Sequence, residues 1–169
     1  MFVCFLNLAS SGAGFYVDAT EPKWAGFNMH TYVVDELPAL LAEHFQEQLD
    51  TKRASVMGHS MGGHGALCLG LRYPERYQSV SAFAPICNPS TAPWGIKAFT
   101  GYLGADTTSW AAYDACELMK RYGADKKRLP MLVDWGTCDQ NVPLQLKPEL
   151  LVEAAAAAKY DVSVRRQGP

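Results

Sequence analysis

Between residues 32 and 45 the apolar side chains Val33, Leu37, Leu40, Leu41 and Phe45 recur at the spacing of one helical face. Pro38 falls inside that pattern, and its missing N–H predicts a kink or a local helix start there. The period then changes. Residues 53–57 form a short apolar-leaning run closed by Gly58, which predicts a buried strand. Residues 63–71 return to helix, with Ala66, Leu67 and Gly70 on a close-packing face, and Tyr73-Pro74 ends it. Further strands are expected at 79–84, stopped by Pro85, and at 131–135, between Pro130 and Gly136. The stretch 87–114 between them carries prolines, glycines and aromatics, so it reads as an irregular connection with short helices. Residues 148–159 predict a helix with proline in its first turn and an alanine run inside, and 160–165 alternate as a strand. Short strands alternating with helices imply βαβ units around a parallel sheet, so the fold class is α/β.

The chain opens on an apolar stretch, residues 2–6 plus Leu8, with no Lys or Arg ahead of it. A secretory leader needs that basic lead, so a short buried strand or a non-native start is the expectation. At 169 residues the chain fits one domain, and 49% hydrophobic with 19% charged residues is the balance of a soluble globular protein. A net charge of −2 excludes a strong electrostatic footprint for nucleic acid. No apolar run is long enough to span a membrane. The five cysteines are widely spaced without a CxxC pair, which fits neither a disulfide framework nor a zinc site and suggests reduced thiols in a cytoplasmic protein.

Gly58-His59-Ser60-Met61-Gly62 satisfies G-x-S-x-G between the expected strand at 53–57 and the helix at 63–71. A serine hydroxyl is a weak nucleophile and must be held exposed, beside a base and next to donors for the developing oxyanion. A sharp strand-to-helix turn supplies the exposure, small flanking residues let strand and helix approach, and the Met61 N–H faces the oxyanion position. In this arrangement the acid follows a later strand, where Asp139 lies just past 131–135. Asp134 competes for that role but falls within the strand pattern and reads as structural. The base should follow the strand at 160–165. The four histidines are His30, His44, His59 and His64, and none comes after Asp139.

Four stretches together resemble the S-formylglutathione hydrolase (esterase D) family of serine α/β-hydrolases. They are Gly-Ala-Gly-Phe-Tyr-Val-Asp-Ala-Thr at 12–20, the serine turn and helix at 58–67, Ser-Ala-Phe-Ala-Pro-Ile-Cys-Asn-Pro at 81–89, and Ala-Phe-Thr-Gly-Tyr-Leu-Gly at 98–104. The resemblance runs from about residue 11 to 167. It implies an α/β-hydrolase-type parallel sheet flanked by helices, and hydrolysis of S-formylglutathione to formate and glutathione in cytoplasmic formaldehyde breakdown. By resemblance Ser60 is the nucleophile, Asp139 the acid and Met61 the backbone oxyanion donor. The partner implied is a small-molecule thioester or ester, without nucleic acid or membrane, and compatible with a homo-oligomer. No metal or organic cofactor is expected.

The sequence also departs from the family. Residues 1–10 do not match it, and the histidine loop that follows the last matched strand is absent. Residues 11–169 are therefore expected to form a partial hydrolase domain, incomplete at both ends, and the chain as given to be inactive or nearly so. Two alternatives follow: a non-catalytic interaction or regulatory truncation product, and an esterase or acyltransferase of the same fold with another acyl substrate.

Overall fold

The apolar opening is a strand: β1, Phe2–Leu6, lies parallel to β2, Ala54–His59. The structure, a computed structural model, describes residues 2–6, 14–50 and 53–168. Met1, residues 7–13 (with Gly12 and Ala13 of the first family-like stretch), 51–52 and Pro169 lie outside them. Between β1 and β2 run α1, Met29–Thr31, and α2, Leu37–His44. The chain then alternates helix and strand. First come α3, Met61–Arg72, and β3, Tyr77–Phe83. Next are α4, Pro93–Leu103, α5, Ala115–Lys120, and β4, Met131–Gly136. Last are α6, Pro148–Ala157, and β5, Ser163–Gln167. Among the described residues the sheet has five strands in the order β1-β2-β3-β4-β5, and every pair is parallel.

Burial follows from that topology. In β4, Met131, Val133 and Trp135 are buried while Leu132, Asp134 and Gly136 are half-buried, the period of two expected of a strand. In α3 every residue from Gly62 to Leu71 is buried, as befits a helix packed on all sides. It rests on β1, β2 and β3 and touches α5, which in turn packs on α6. The close-packing face read from the sequence is real: a Cβ added to Gly70 would stand 2.3 Å from Val80 Cγ2. A second core gathers Phe15, Val17, Ile86, Phe99, Trp110 and Leu146 beside the sheet core, and Met61 and Val142 pack against both.

Three elements differ from expectation. Pro38 stands in the first turn of α2, a local start, but the chain does not break there: α1 and α2 are continuous through Tyr32–Glu36, which is wound in π geometry with Leu37 N–H donating to Tyr32 O. In α geometry the Val34 carbonyl would bond the N–H of residue 38, which proline lacks. Arg76 Nη1 donates to that carbonyl at 2.6 Å and to Asp35 Oδ1 at 3.0 Å. Because Val34 is buried, Arg76→Met is expected to cost about 1–2 kcal/mol in urea unfolding; an unchanged midpoint would refute the role.

The region 87–114, expected to be an irregular connection with short helices, contains the eleven-residue α4. The last strand starts at Ser163 rather than at 160, because the Tyr160 hydroxyl donates to Leu129 O and accepts from Leu129 N–H. That exchange buries Tyr160 as an anchor between α6 and β5.

Candidate active site

In a parallel sheet all strands end on one edge, so the turns after β2, β3 and β4 share it. Ser60 leaves β2 with φ 56° and ψ −116°, a left-handed conformation that costs a non-glycine residue of order 1–3 kcal/mol. The end of β3 holds it there. Ser60 N–H donates to Phe83 O at 2.8 Å, and its carbonyl accepts from Ile86 N–H at 3.3 Å and His64 N–H at 3.0 Å. Strand and helix meet so closely that a Cβ on Gly58 would lie 2.4 Å from the carbonyl carbon and oxygen of Gly62. Ser60 is half-buried, and Met61, as the first residue of α3, has an N–H outside the helical ladder.

Asp139 follows β4, two strands from Ser60, which sets the two turns about 10 Å apart along the sheet. Asp139 is half-buried, and its Oδ1 accepts from Asn141 N–H at 2.8 Å and from Asn141 Nδ2 at 3.0 Å. Sequence reasoning missed Asn141, although Asp-x-Asn is the signal of a carboxylate that bonds the backbone two residues on. Asp134 does what its strand position implied: its Oδ2 accepts from Gln167 Nε2 at 2.9 Å, and its carbonyl takes the Ala84 N–H at 2.7 Å.

The histidines go elsewhere. His44 on α2 and His59 at the end of β2 are exposed. His64 is fully buried, with Nε2 donating to Phe15 O at 3.1 Å. His30 is buried too, with Nδ1 3.2 Å from Tyr16 O and Nε2 2.9 Å from the Tyr73 hydroxyl. Phe15 and Tyr16 are consecutive left-handed residues with φ of 45° and 54°, and each buried imidazole holds the carbonyl of one of them. His64 thus ties this turn to α3, and His30 ties it to α1 and to the Tyr73 hydroxyl just beyond α3.

Burial pushes the His64 imidazole from 6.5 down to about 4, against an opposing pull from Asp114, and burial lowers His30 as well. Below about 6.5 the unfolded chain takes up a proton that folded His64 refuses, so the folded state weakens as pH falls towards about 4 and then levels off. The loss from His64 is expected to reach about 3 kcal/mol. Unfolding in urea from pH 7 to pH 4 checks it by the difference in slope between wild type and His64→Gln; equal slopes would exclude the effect.

The Cys68, Cys87 and Cys116 thiols are buried and free, and burial raises all three above the ordinary thiol range, while Cys138 is free and exposed. Among the described residues no cluster of His, Cys, Asp and Glu is arranged to hold a metal ion, and no helix is long and apolar enough to cross a membrane.

Residues 6–168 match the family model described as "Putative esterase". An S-formylglutathione hydrolase of Arabidopsis thaliana is 52% identical over 154 residues, covering 91% of this chain and 53% of that protein. The solved S-formylglutathione hydrolase of Agrobacterium tumefaciens is similar with a TM-score of 0.83 at 44% identity, over 92% of this chain and 55% of the other. A ferulic acid esterase shares the fold, with a TM-score of 0.63 at 18% identity over 91% of this chain and 56% of its own. The chain spans about half the length of the relatives it matches.

Proposed function

Since this chain belongs to the esterase family of α/β-hydrolases, we propose that it carries the acyl-transfer machinery for hydrolysing S-formylglutathione to formate and glutathione. Ser60 is the nucleophile, the Met61 N–H an oxyanion donor, and Asp139 the carboxylate that orients an imidazole. The observation that carries the reading is the left-handed Ser60 turn, pinned by Phe83 and Ile86 between β2 and α3. A strained residue is kept where function uses the strain, and here the strain lifts a hydroxyl out of the sheet edge.

The chemistry proceeds in two steps. Ser60 Oγ attacks the formyl carbon and gives its proton to an imidazole, and the oxyanion forms beside the Met61 N–H. The C–S bond breaks and the imidazolium returns the proton to the departing glutathione thiolate. Water then attacks the formyl-serine ester, again with the imidazole as base, which releases formate and restores Ser60. Asn141 occupies Asp139 Oδ1, so Oδ2 is the atom that would take the imidazole N–H.

None of the four histidines follows Asp139, so an assay of these residues supplies the imidazole. The deciding assay is release of glutathione from S-formylglutathione with free imidazole added. The expected result is a rate that rises with imidazole, saturates with the thioester and vanishes in Ser60→Ala. Equal rates in wild type and Ser60→Ala would reject the assignment, and a preference for an oxyester would point to another acyl substrate. The free thiols support a cytoplasmic location.

A further inference from the structure

A second concave surface lies along α4. Trp94, Lys97, Ala98, Gly101 and Tyr102 recur at the spacing of one helical face and face the 3-10 turn Pro22–Trp24. Together they enclose a groove of about 510 Å³, within the range of small-molecule sites. Its aromatic wall is built rather than incidental. Tyr102 stacks on Phe27 at 4.8 Å with 12° between the planes, and Trp24 leans on Tyr102 at 4.9 Å. Even so, Trp24 is 40% exposed and Trp94 44% exposed, a large amount of indole surface left open to solvent.

Lys23 and Lys97 line the groove, and neither meets a carboxylate among the described residues, in a chain whose net charge is −2. The floor at Gly101 is open: a Cβ built there meets nothing within 4 Å. Flat apolar rings flanked by two free ammonium groups select a ligand that is flat, apolar and negatively charged. A neutral ring would gain the stacking alone, and a small polar anion only the exposed lysines.

We propose that this groove binds a small aromatic carboxylate, its ring against Trp24, Trp94 and Tyr102 and its carboxylate beside Lys23 and Lys97. The binding uses no turnover, so it stands or falls separately from the role of Ser60.

The test is titration with 2-naphthoate, read by tryptophan fluorescence, with uncharged 2-naphthamide in parallel. Trp110 and Trp135 are only 5% and 3% exposed, so the change reports on Trp24 and Trp94. We expect saturable quenching by the naphthoate and about tenfold weaker binding of the amide. The double variant Lys23→Gln/Lys97→Gln should bring the naphthoate down to the affinity of the amide. At Gly101 a Cβ meets nothing, so Gly101→Leu should fill the floor and abolish quenching while circular dichroism is retained and the urea midpoint does not fall. The proposal is overturned by equal binding of both probes, by wild-type affinity in folded Gly101→Leu, or by no saturable quenching at all.

Discussion

Without added imidazole, the 169-residue chain is expected to cleave S-formylglutathione about 10⁶-fold more slowly than a serine hydrolase with a full triad. The reason lies in where its imidazoles are held. His64 and His30 are the two with restrained geometry, and each has a ring nitrogen bonded to a carbonyl of the turn at 15–16. Moving either towards Ser60 would break that bond and leave a buried carbonyl unsatisfied, at about 1–3 kcal/mol. His59, beside Ser60 in sequence, is exposed at the end of β2, where successive side chains point to opposite faces. Fluorophosphonate labelling of Ser60, followed by mass spectrometry, should accordingly be negligible without imidazole and grow when it is added. Rapid labelling of the chain alone, or turnover near that of a complete enzyme, would defeat the expectation.

Gly58→Val is expected to cost about 3 kcal/mol, the upper end for overpacking and a large share of the stability of an ordinary domain. A Cβ at Gly58 would lie 2.4 Å from both the carbonyl carbon and oxygen of Gly62, and 3.0 Å from its Cα. These are backbone atoms at the start of α3, so no rotamer change relieves the clash. Either β2 and α3 separate or the Ser60 turn is lost. Gly101→Ala is the matched control: it sits in a helix interior, meets nothing, and should stabilise by about 0.5–1 kcal/mol. Urea unfolding of the pair measures both. A loss below about 1 kcal/mol in Gly58→Val would show that the close approach is not required.

Much of this architecture was legible in the sequence where a period ran undisturbed. β2, α3, β3 and β4 fall within a few residues of their expected places, because runs of one period end at glycine or proline. The serine turn was legible for a related reason: a Cβ at Gly58 would meet the Gly62 backbone, a steric demand only glycine satisfies, and it stands beside the positive-φ Ser60. What escaped depends on contacts distant in sequence. The helix α4 looked irregular because it carries Pro93, Gly95 and Gly101, poor helix formers inside a segment that tertiary packing nevertheless winds up. Gly95 is there for Pro89, whose carbonyl oxygen would lie 2.2 Å from a Cβ. The π segment before Pro38 needs Arg76, 38 residues further on, to satisfy Val34 O. The roles of His30 and His64 needed the turn at 15–16, whose left-handed backbone at Phe and Tyr has no compositional mark.

The strand order β1-β2-β3-β4-β5 also bears on how the chain acquires its structure. Each strand pairs with its successor, so every pairing closes over one intervening segment and no strand has to insert between two already joined. The entropy of loop closure is therefore met in instalments, a topology suited to folding from the N-terminus while synthesis continues. The serine turn has its own point in that sequence. Ser60 is fixed by Phe83 and Ile86, so β2 and α3 can form early while the turn stays loose, and it locks when β3 adds to the sheet. A ribosome-bound chain ending before residue 83 should contain the helix but not the strained serine.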